Sequence, residues 1–305
     1  MCIRDSVNSV DGSNAGEALI WANTGALSVN GKLYASQVTK SGTNALNILA
    51  DQPQFTGNWV INGGVVQFQT PGAQSTGEVI LNAAHMADSD SFFNLTEVRY
   101  NFNSGTPDLF TWSGGKITVN DMGQIRSVAA ADRLDQIPAI DLKTTGGGME
   151  GIVFFQSDSL RHTIRTGTVT LYDNYLISVD ATSFGPGSTS GVQIGSGNGT
   201  GGLNNQGLYD LRTSGDGILS LGDNSASFTG LHTVSIGDGT VRVLDNGAFG
   251  AASVTAYARS TSAIEIAVAD FTPTANLIQE PGSIERWTRS DARNTSCLLY
   301  TSRCV

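Results

Sequence analysis

Apolar and polar residues alternate in short runs along this chain, and the runs recur in a fixed order. In residues 211–250 three of them stand out: Leu219-Ser220-Leu221, Val234-Ser235-Ile236 and Val241-Arg242-Val243. A period of two places the apolar side chains on one face of an extended strand. Gly, Asn and Asp lie between the runs and supply the positive φ angles that tight turns need. A strand of three to five residues cannot bury its apolar face alone. It must stack on similar strands, which is the construction of a β-solenoid.

Residues 38–73 repeat the pattern. With Ser41-Gly42 set on Ser214-Gly215, Leu46 falls on Leu219, Ile48 on Leu221 and Phe55-Thr56-Gly57 on Phe228-Thr229-Gly230. After a two-residue insertion, Leu231-His232, Trp59 and Ile61 meet Val234 and Ile236. Gly64 then meets Gly239, and Val66 and Phe68 meet Val241 and Val243. Self-similarity of this kind decides the architecture before any single motif does.

The repeat resembles the autotransporter-associated β-strand repeat, also called the passenger-associated transport repeat. That family reads roughly K-x-G-x-G-x-L-x-L-x-G-x-N-x-[YF]-T-G-x-T-x-[VI]-x-x-G-x-L. Ser214-Gly215-Asp216-Gly217, Leu219, Leu221-Gly222 and Asn224 match its first half. Phe228-Thr229-Gly230, Val234, Ile236 and Gly239 match its second half. The earlier copy is degenerate: Asn44 replaces the second Gly, and Asp51-Gln52-Pro53 replaces the Gly-x-Asn turn. The two copies cover roughly a quarter of the chain and speak to the repeat class, not to an activity. The resemblance implies an all-β, right-handed parallel β-helix, exported to a bacterial cell surface.

Elsewhere, Gly25–Leu33 reads as two short strands around Asn30-Gly31, a strong turn signal. Between about 83 and 145 the pattern loosens, and an irregular insertion protruding from the solenoid is expected there. Within it Val98–Phe102 and Gly115–Asn120 are strand-like, and Ala129–Leu134 is a candidate helical turn. From Gly151 the strands return at Ile152–Phe155, Thr168–Leu171 and Leu176–Val179, and later at Ala263–Val268 and Ile284–Trp287. Amphipathic helical patterns are otherwise almost absent, and no linker separates independent domains.

The two ends read as translated sequencing-library sequence. Met1–Ser6 is what ATG-TGT-ATA-AGA-GAC-AG encodes, a string resembling a transposase end. Cys297–Ser302 is its reverse complement in frame, and Arg303–Val305 the forward string again. On this reading 1–6 and 297–305 are set aside, and 7–296 is a single β-solenoid fragment of a longer gene. All three cysteines, Cys2, Cys297 and Cys304, lie in those ends, so no disulfide or metal framework rests on them. The formal net charge of −10 becomes −11 without Arg4, Arg303 and Asp5. An acidic chain with no basic stripe disfavours nucleic acid as a partner. No apolar run approaches the length of a membrane helix.

Candidate chemistry is thin. Gly197-x-Gly199-x-x-Gly202 fits the dinucleotide fingerprint, but that motif needs a helix after it, and Leu203-Asn204-Asn205-Gln206-Gly207 is turn-like. His85, His162 and His232 are scattered, with no partner at metal-ligand spacing. Asp132, Arg133, Asp135 and Asp141 form the densest charged cluster. On a β-helix enzyme two such carboxylates could work on a glycosidic bond, or with Arg133 serve a calcium-dependent lyase; a solvated loop is the plainer reading. Asp216, Asp223 and Asp238 lack the nonapeptide period of calcium repeats and read as turns. Trp59 and Phe68 fall at core positions, whereas Trp112, beside Gly114-Gly115, is the candidate surface aromatic for stacking on sugar. Asn94-Leu95-Thr96 is a glycosylation sequon by pattern only.

The expected role is a structural segment of a surface-exposed or secreted autotransporter-like passenger, of stalk or adhesin type. It has no catalytic, cofactor or metal residues, and it is attached to the outer membrane through a part of the gene outside this chain. Its candidate partners are surface polysaccharide, a host or other cell surface, and adjoining rungs of the longer chain. The rival readings are a polysaccharide lyase or glycoside hydrolase built on the β-helix, and a carbohydrate-binding β-sandwich. Parallel pairing in one stack separates the first two from the third.

Overall fold

A computed structural model describes the backbone of Cys2–Asp5 and residues 16–82, 96–101, 109–112, 114–128, 134–145, 150–157, 163–180, 191–194, 202–207, 209–222, 227–229, 233–245, 248, 255–258, 262–267, 276–279 and 284–287. Its strands are β1 (Cys2–Asp5), β2 (Glu17–Trp21), β3 (Leu27–Val29), β4 (Gln37–Ser41), β5 (Ala45–Ile48), β6 (Asn58–Ile61), β7 (Val65–Phe68) and β8 (Val79–Asn82). Next come β9 (Glu97–Asn101), β10 (Leu109–Thr111), β11 (Ile117–Asn120), β12 (Met122–Val128), β13 (Leu134–Ile137), β14 (Ile140–Lys143), β15 (Gly151–Ser157), β16 (Thr163–Thr166), β17 (Val169–Leu171) and β18 (Tyr175–Asp180). The last are β19 (Gly191–Ile194), β20 (Gly202–Asn205), β21 (Leu211–Ser214), β22 (Ile218–Leu221), β23 (Ser227–Thr229), β24 (Thr233–Ile236), β25 (Gly239–Val243), β26 (Thr255–Ala258), β27 (Ser262–Ile266), β28 (Asn276–Gln279) and β29 (Ile284–Trp287). Among the described residues there is no helix.

These strands form a parallel β-helix with three faces. Face 1 stacks β1-β2-β4-β6-β8-β11-β14-β17-β20-β23, face 2 runs from β3 through β5, β7, β9, β12, β15, β18, β21, β24 and β26 to β28, and face 3 runs from β10 through β13, β16, β19, β22, β25 and β27 to β29. Each strand pairs in parallel with its counterpart one coil on, for example β5 with β7 and β22 with β25. The antiparallel exception among the described pairs joins β1, in the stretch read as translated library sequence, to β2.

Period-two alternation builds the core. The inward positions of face 2 place Leu46, Val66, Val98, Ile125, Phe155 and Val179 in one column by register. Those of face 1 place Val38, Trp59, Val79, Ile117, Ile140, Val169 and Leu203 in another. All are buried. Each such side chain removed from water contributes roughly 1.5–3 kcal/mol against the entropy of ordering the coil. An aromatic stack fills the early interior. Successive ring centroids lie 4.7 Å apart for Phe55–Trp59, 5.2 Å for Trp59–Phe68, 5.9 Å for Phe68–Tyr100 and 4.5 Å for Tyr100–Trp112.

Both repeat copies become the same object, a pair of stacked coils turning a corner on glycine. In the first, Gly42 (φ 86°) and Gly64 (φ 66°) turn face 1 into face 2. In the second, Gly215 (φ 90°) and Gly239 (φ 75°) turn face 2 into face 3. A Cβ on Gly64 would lie 2.6 Å from the Gly42 carbonyl oxygen, and one on Gly239 would lie 2.4 Å from that of Gly215. The left-handed φ and the close approach of the neighbouring coil both demand glycine. The copies therefore share their local structure but stand one face apart around the axis. The alignment of Leu46 with Leu219 and Phe68 with Val243 correctly pairs inward positions, all buried.

Coil length explains where the third face begins. Leu27 to Leu46, register neighbours on face 2, are 19 residues apart, enough for two strands and a turn. There the third side is a turn carrying Gln52 and Phe55, then Ala73, Gln74 and Ser75, all buried. From Tyr175 to Leu211 the step is 36 residues and includes a third strand, β19. Between 83 and 145, where the sequence pattern loosens, β9 to β14 continue all three faces in register. Leu134 opens β13 instead of closing a helical turn, and 129–133 lie outside the described residues.

Candidate functional site

The acidic cluster of the sequence does not converge. Asp132 and Arg133 lie outside the described residues. Asp135 sits on face 3 in register with Ile164, so it occupies a core column, and it is fully buried. Asp141 alternates with the inward Ile140 and Leu142 on face 1 and points outward. Strand alternation on two different faces thus separates two carboxylates that are six positions apart in sequence.

Asp135 lies among buried polar groups of the interior. It accepts a hydrogen bond from the Ser127 hydroxyl. Tyr100 Oη donates to Gln74 Oε1 at 2.8 Å, and Trp59 Nε1 donates to the Gln74 carbonyl at 2.9 Å. Burial, with Asp135 as the lesser cause, pushes the Tyr100 phenol far above its usual range. Gln74, Tyr100 and Asp135 are each fully buried among the described residues. Trp112, expected at the surface, packs against Tyr100 and is buried. Its apparent loop position follows β10, whose step in the stack turns the indole inward.

Outside, the densest charged group lies on face 1. Lys116 Nζ bonds Asp141 at 2.6 Å, Lys143 Nζ stands 3.3 Å from the same carboxylate, and Glu78 lies 3.7 Å from Lys116. The hydrogen bond to Asp141 holds the Lys116 ammonium above its ordinary range. Lys143 Nζ also sits 4.7 Å over the ring of Tyr172. Lys116 pairs across coils, with Asp141 on one side and Glu78 on the other, whereas Lys143 meets Asp141 along the same strand.

Lys40 was not visible as special in the sequence, although Lys40-Ser41-Gly42 fits the K-x-G that opens the repeat pattern. It takes an inward position between Ile20 and Ile61 by register and is fully buried. Its ammonium donates to the carbonyls of Gly42 and Gly63 at the glycine corner. Burial pushes it down to about 8. Thr213 occupies the matching position of the other copy.

The remaining motifs resolve as turns or fall outside the description. Gly202 opens β20, so a strand stands where a dinucleotide fingerprint requires a helix; 197–201 lie outside the described residues. His85, His162, His232, Asp223 and Asn94 also lie outside them. Asp216 and Asp238 are exposed at successive corners between faces 2 and 3. Among the described residues no group of three His, Cys, Asp or Glu side chains is placed to hold a metal ion. No family model, curated protein or solved structure matches the chain.

Proposed function

We propose that this chain is a structural segment of a surface-exposed or secreted bacterial passenger of autotransporter type, a stalk that spaces or presents other parts of its protein. The observation that carries the reading is that both copies of the repeat become stacked coil pairs with glycine corners, in one parallel β-helix. Their alternating residues are spent on packing against the next coil. The carboxylates first considered for chemistry support the same reading: Asp135 is enclosed, and Asp141 is held by two lysines.

The test joins residues 7–296 to a secretion signal and an outer-membrane anchor in a bacterium. Protease added to intact cells is expected to remove the segment, while cells carrying it leave a panel of acidic and neutral polysaccharides intact. Segment that stays protected inside the cell, or new reducing or unsaturated sugar ends released from any polysaccharide, defeats the proposal.

A further inference from the structure

The two glycine corners of the repeat are built alike but carry opposite charge. At the first, a Cβ on Gly64 would stand 2.6 Å from the Gly42 carbonyl oxygen, 2.8 Å from that of Asn44 and 2.6 Å from Lys40 Nζ. At the second, a Cβ on Gly239 would stand 2.4 Å from the Gly215 carbonyl oxygen and 2.8 Å from that of Gly217. Gly42 aligns with Gly215 and Asn44 with Gly217, so the corners agree oxygen for oxygen. They differ in the cation. At the first corner Lys40 Nζ donates to the carbonyls of Gly42 and Gly63. The residues aligned with these three are Thr213, Gly215 and Asp238.

Thr213 takes the same inward place as Lys40. Lys40 lies between Ile20 and Ile61 in register, and Thr213 between Ile177 and Ile236. Thr213 is 3% exposed, and its hydroxyl oxygen has no hydrogen-bond partner among the described residues, which include both flanking strands. A buried hydroxyl without a partner is costly. Carboxylates have gathered where the lysine is missing. Asp180, Asp216 and Asp238 stand where the first corner has Asn23, Thr43 and Gly63. Segments 178–180, 213–217 and 236–240 hold no Lys, Arg or His. Burial, offset in part by a Ser178 hydrogen bond, raises the pKa of Asp180, and the Asp216 charge adds to the rise.

We infer that the second corner binds a monovalent cation of ammonium size, potassium, at the place that Lys40 Nζ takes in the first. The chain supplies the Thr213 hydroxyl and the carbonyls of Gly215 and Asp238 as ligands, and water completes the shell. These are neutral oxygens, of the kind that replaces the hydration shell of potassium. The three carboxylates act at longer range, by drawing positive charge to the corner. They do not form a chelate: among the described residues no three acidic side chains are placed to hold one metal ion. Calcium takes about 6–8 oxygen ligands, carboxylates among them, and is disfavoured here for that reason. One corner design thus serves twice, once with a tethered cation and once with an exchangeable one.

The experiment is amide hydrogen exchange of the full 305-residue chain in potassium chloride against choline chloride at equal ionic strength, with thallium(I) NMR as the direct probe of a potassium site. Potassium at about ten times its dissociation constant should slow the amides of 213–217 and 236–240 by about elevenfold. The amides of 40–44 and 61–65, already held by Lys40, should not respond. A bound thallium resonance that potassium displaces is expected. Thr213→Lys supplies the tethered ammonium, so its corner amides should be slow in choline alone, ignore potassium and give no thallium signal. Thr213→Val keeps the shape but removes the hydroxyl ligand. It should lose the potassium response at the same concentration, while exchange elsewhere matches wild type. A wild type whose corner amides and thallium spectrum ignore potassium overturns the inference. So does a potassium response that survives in both variants, or a response to calcium in place of potassium.

Discussion

At the scale of single residues, the corners carry the strictest demands. Gly64 combines a φ of 66° with carbonyl oxygens of Gly42 and Asn44 at 2.6 and 2.8 Å from where a Cβ would stand. Gly64→Ala is expected to destabilise the chain by on the order of 2 kcal/mol or more, since the left-handed conformation alone costs about 1–2 kcal/mol and the neighbouring coil cannot withdraw. Denaturant unfolding checks this, with Gly25→Ala as control, because a Cβ there meets nothing within 4 Å. Lys40 makes a pH prediction. Its pKa is lowered from 10.5 to about 8 by burial. Between those values the unfolded chain holds a proton that the folded chain has released, so this group makes stability rise with pH across that window. Below pH 8 both states are protonated, and the cost of burying the ammonium is fully present. The unfolding midpoint of the wild type, relative to Lys40→Met, should therefore climb between pH 7.5 and 10; a flat or falling difference rejects the assignment.

At the scale of strands and coils, outward side chains bond along the rod. Asn82 Nδ2 donates to Asn62 Oδ1 at 2.9 Å, and Asn120 Nδ2 donates to Asn82 Oδ1 at 2.7 Å, an amide ladder across three coils. Asn82→Ala removes both bonds and is expected to cost about 1–2 kcal/mol. Lys116→Ala breaks a shorter contact, but the lysine is exposed, so roughly 0.2–1 kcal/mol is expected. Chemical denaturation of the two variants decides the order; a larger loss for Lys116→Ala would reverse the argument. The strands themselves were legible because Leu219-Ser220-Leu221 and its kin alternate cleanly and glycine marks each corner. Which face a strand joins was not, because the same strand-glycine-strand unit fits either corner, and only coil length fixes the phase. The continuation of the rungs through 97–143 was obscured where inward positions are polar or small, as with Asp135, Ser127 and Gly123. Trp112 was placed outside for the same reason: its neighbours Gly114-Gly115 signal a turn but do not say which way the preceding side chain faces. The buried pairs Tyr100–Gln74 and Ser127–Asp135 join residues separated in sequence, and no spacing within the chain announces them.

At the scale of the whole molecule, the chain is nearly one-dimensional. Face 2 stacks 11 strands, which at about 4.8 Å per step makes a rod of roughly 50 Å. Most contacts join adjacent coils, with a few longer reaches such as Tyr175 Oη to the Val119 carbonyl two coils back at 3.0 Å, so stability is approximately a sum of coil terms and of interfaces between adjacent coils. Those terms are unequal. The first coils hold two strands and a turn; β12 and β15, in the middle, are each seven residues long, the longest of the described strands, and pair in register with each other and with a strand on either side. Hydrogen exchange should accordingly grade along the rod, slowest for amides of β12 and β15 and fastest for those of β3, the edge strand of face 2 among the described strands. Equal protection from end to end would mean that the rod unfolds as one cooperative block and that interface terms dominate every coil.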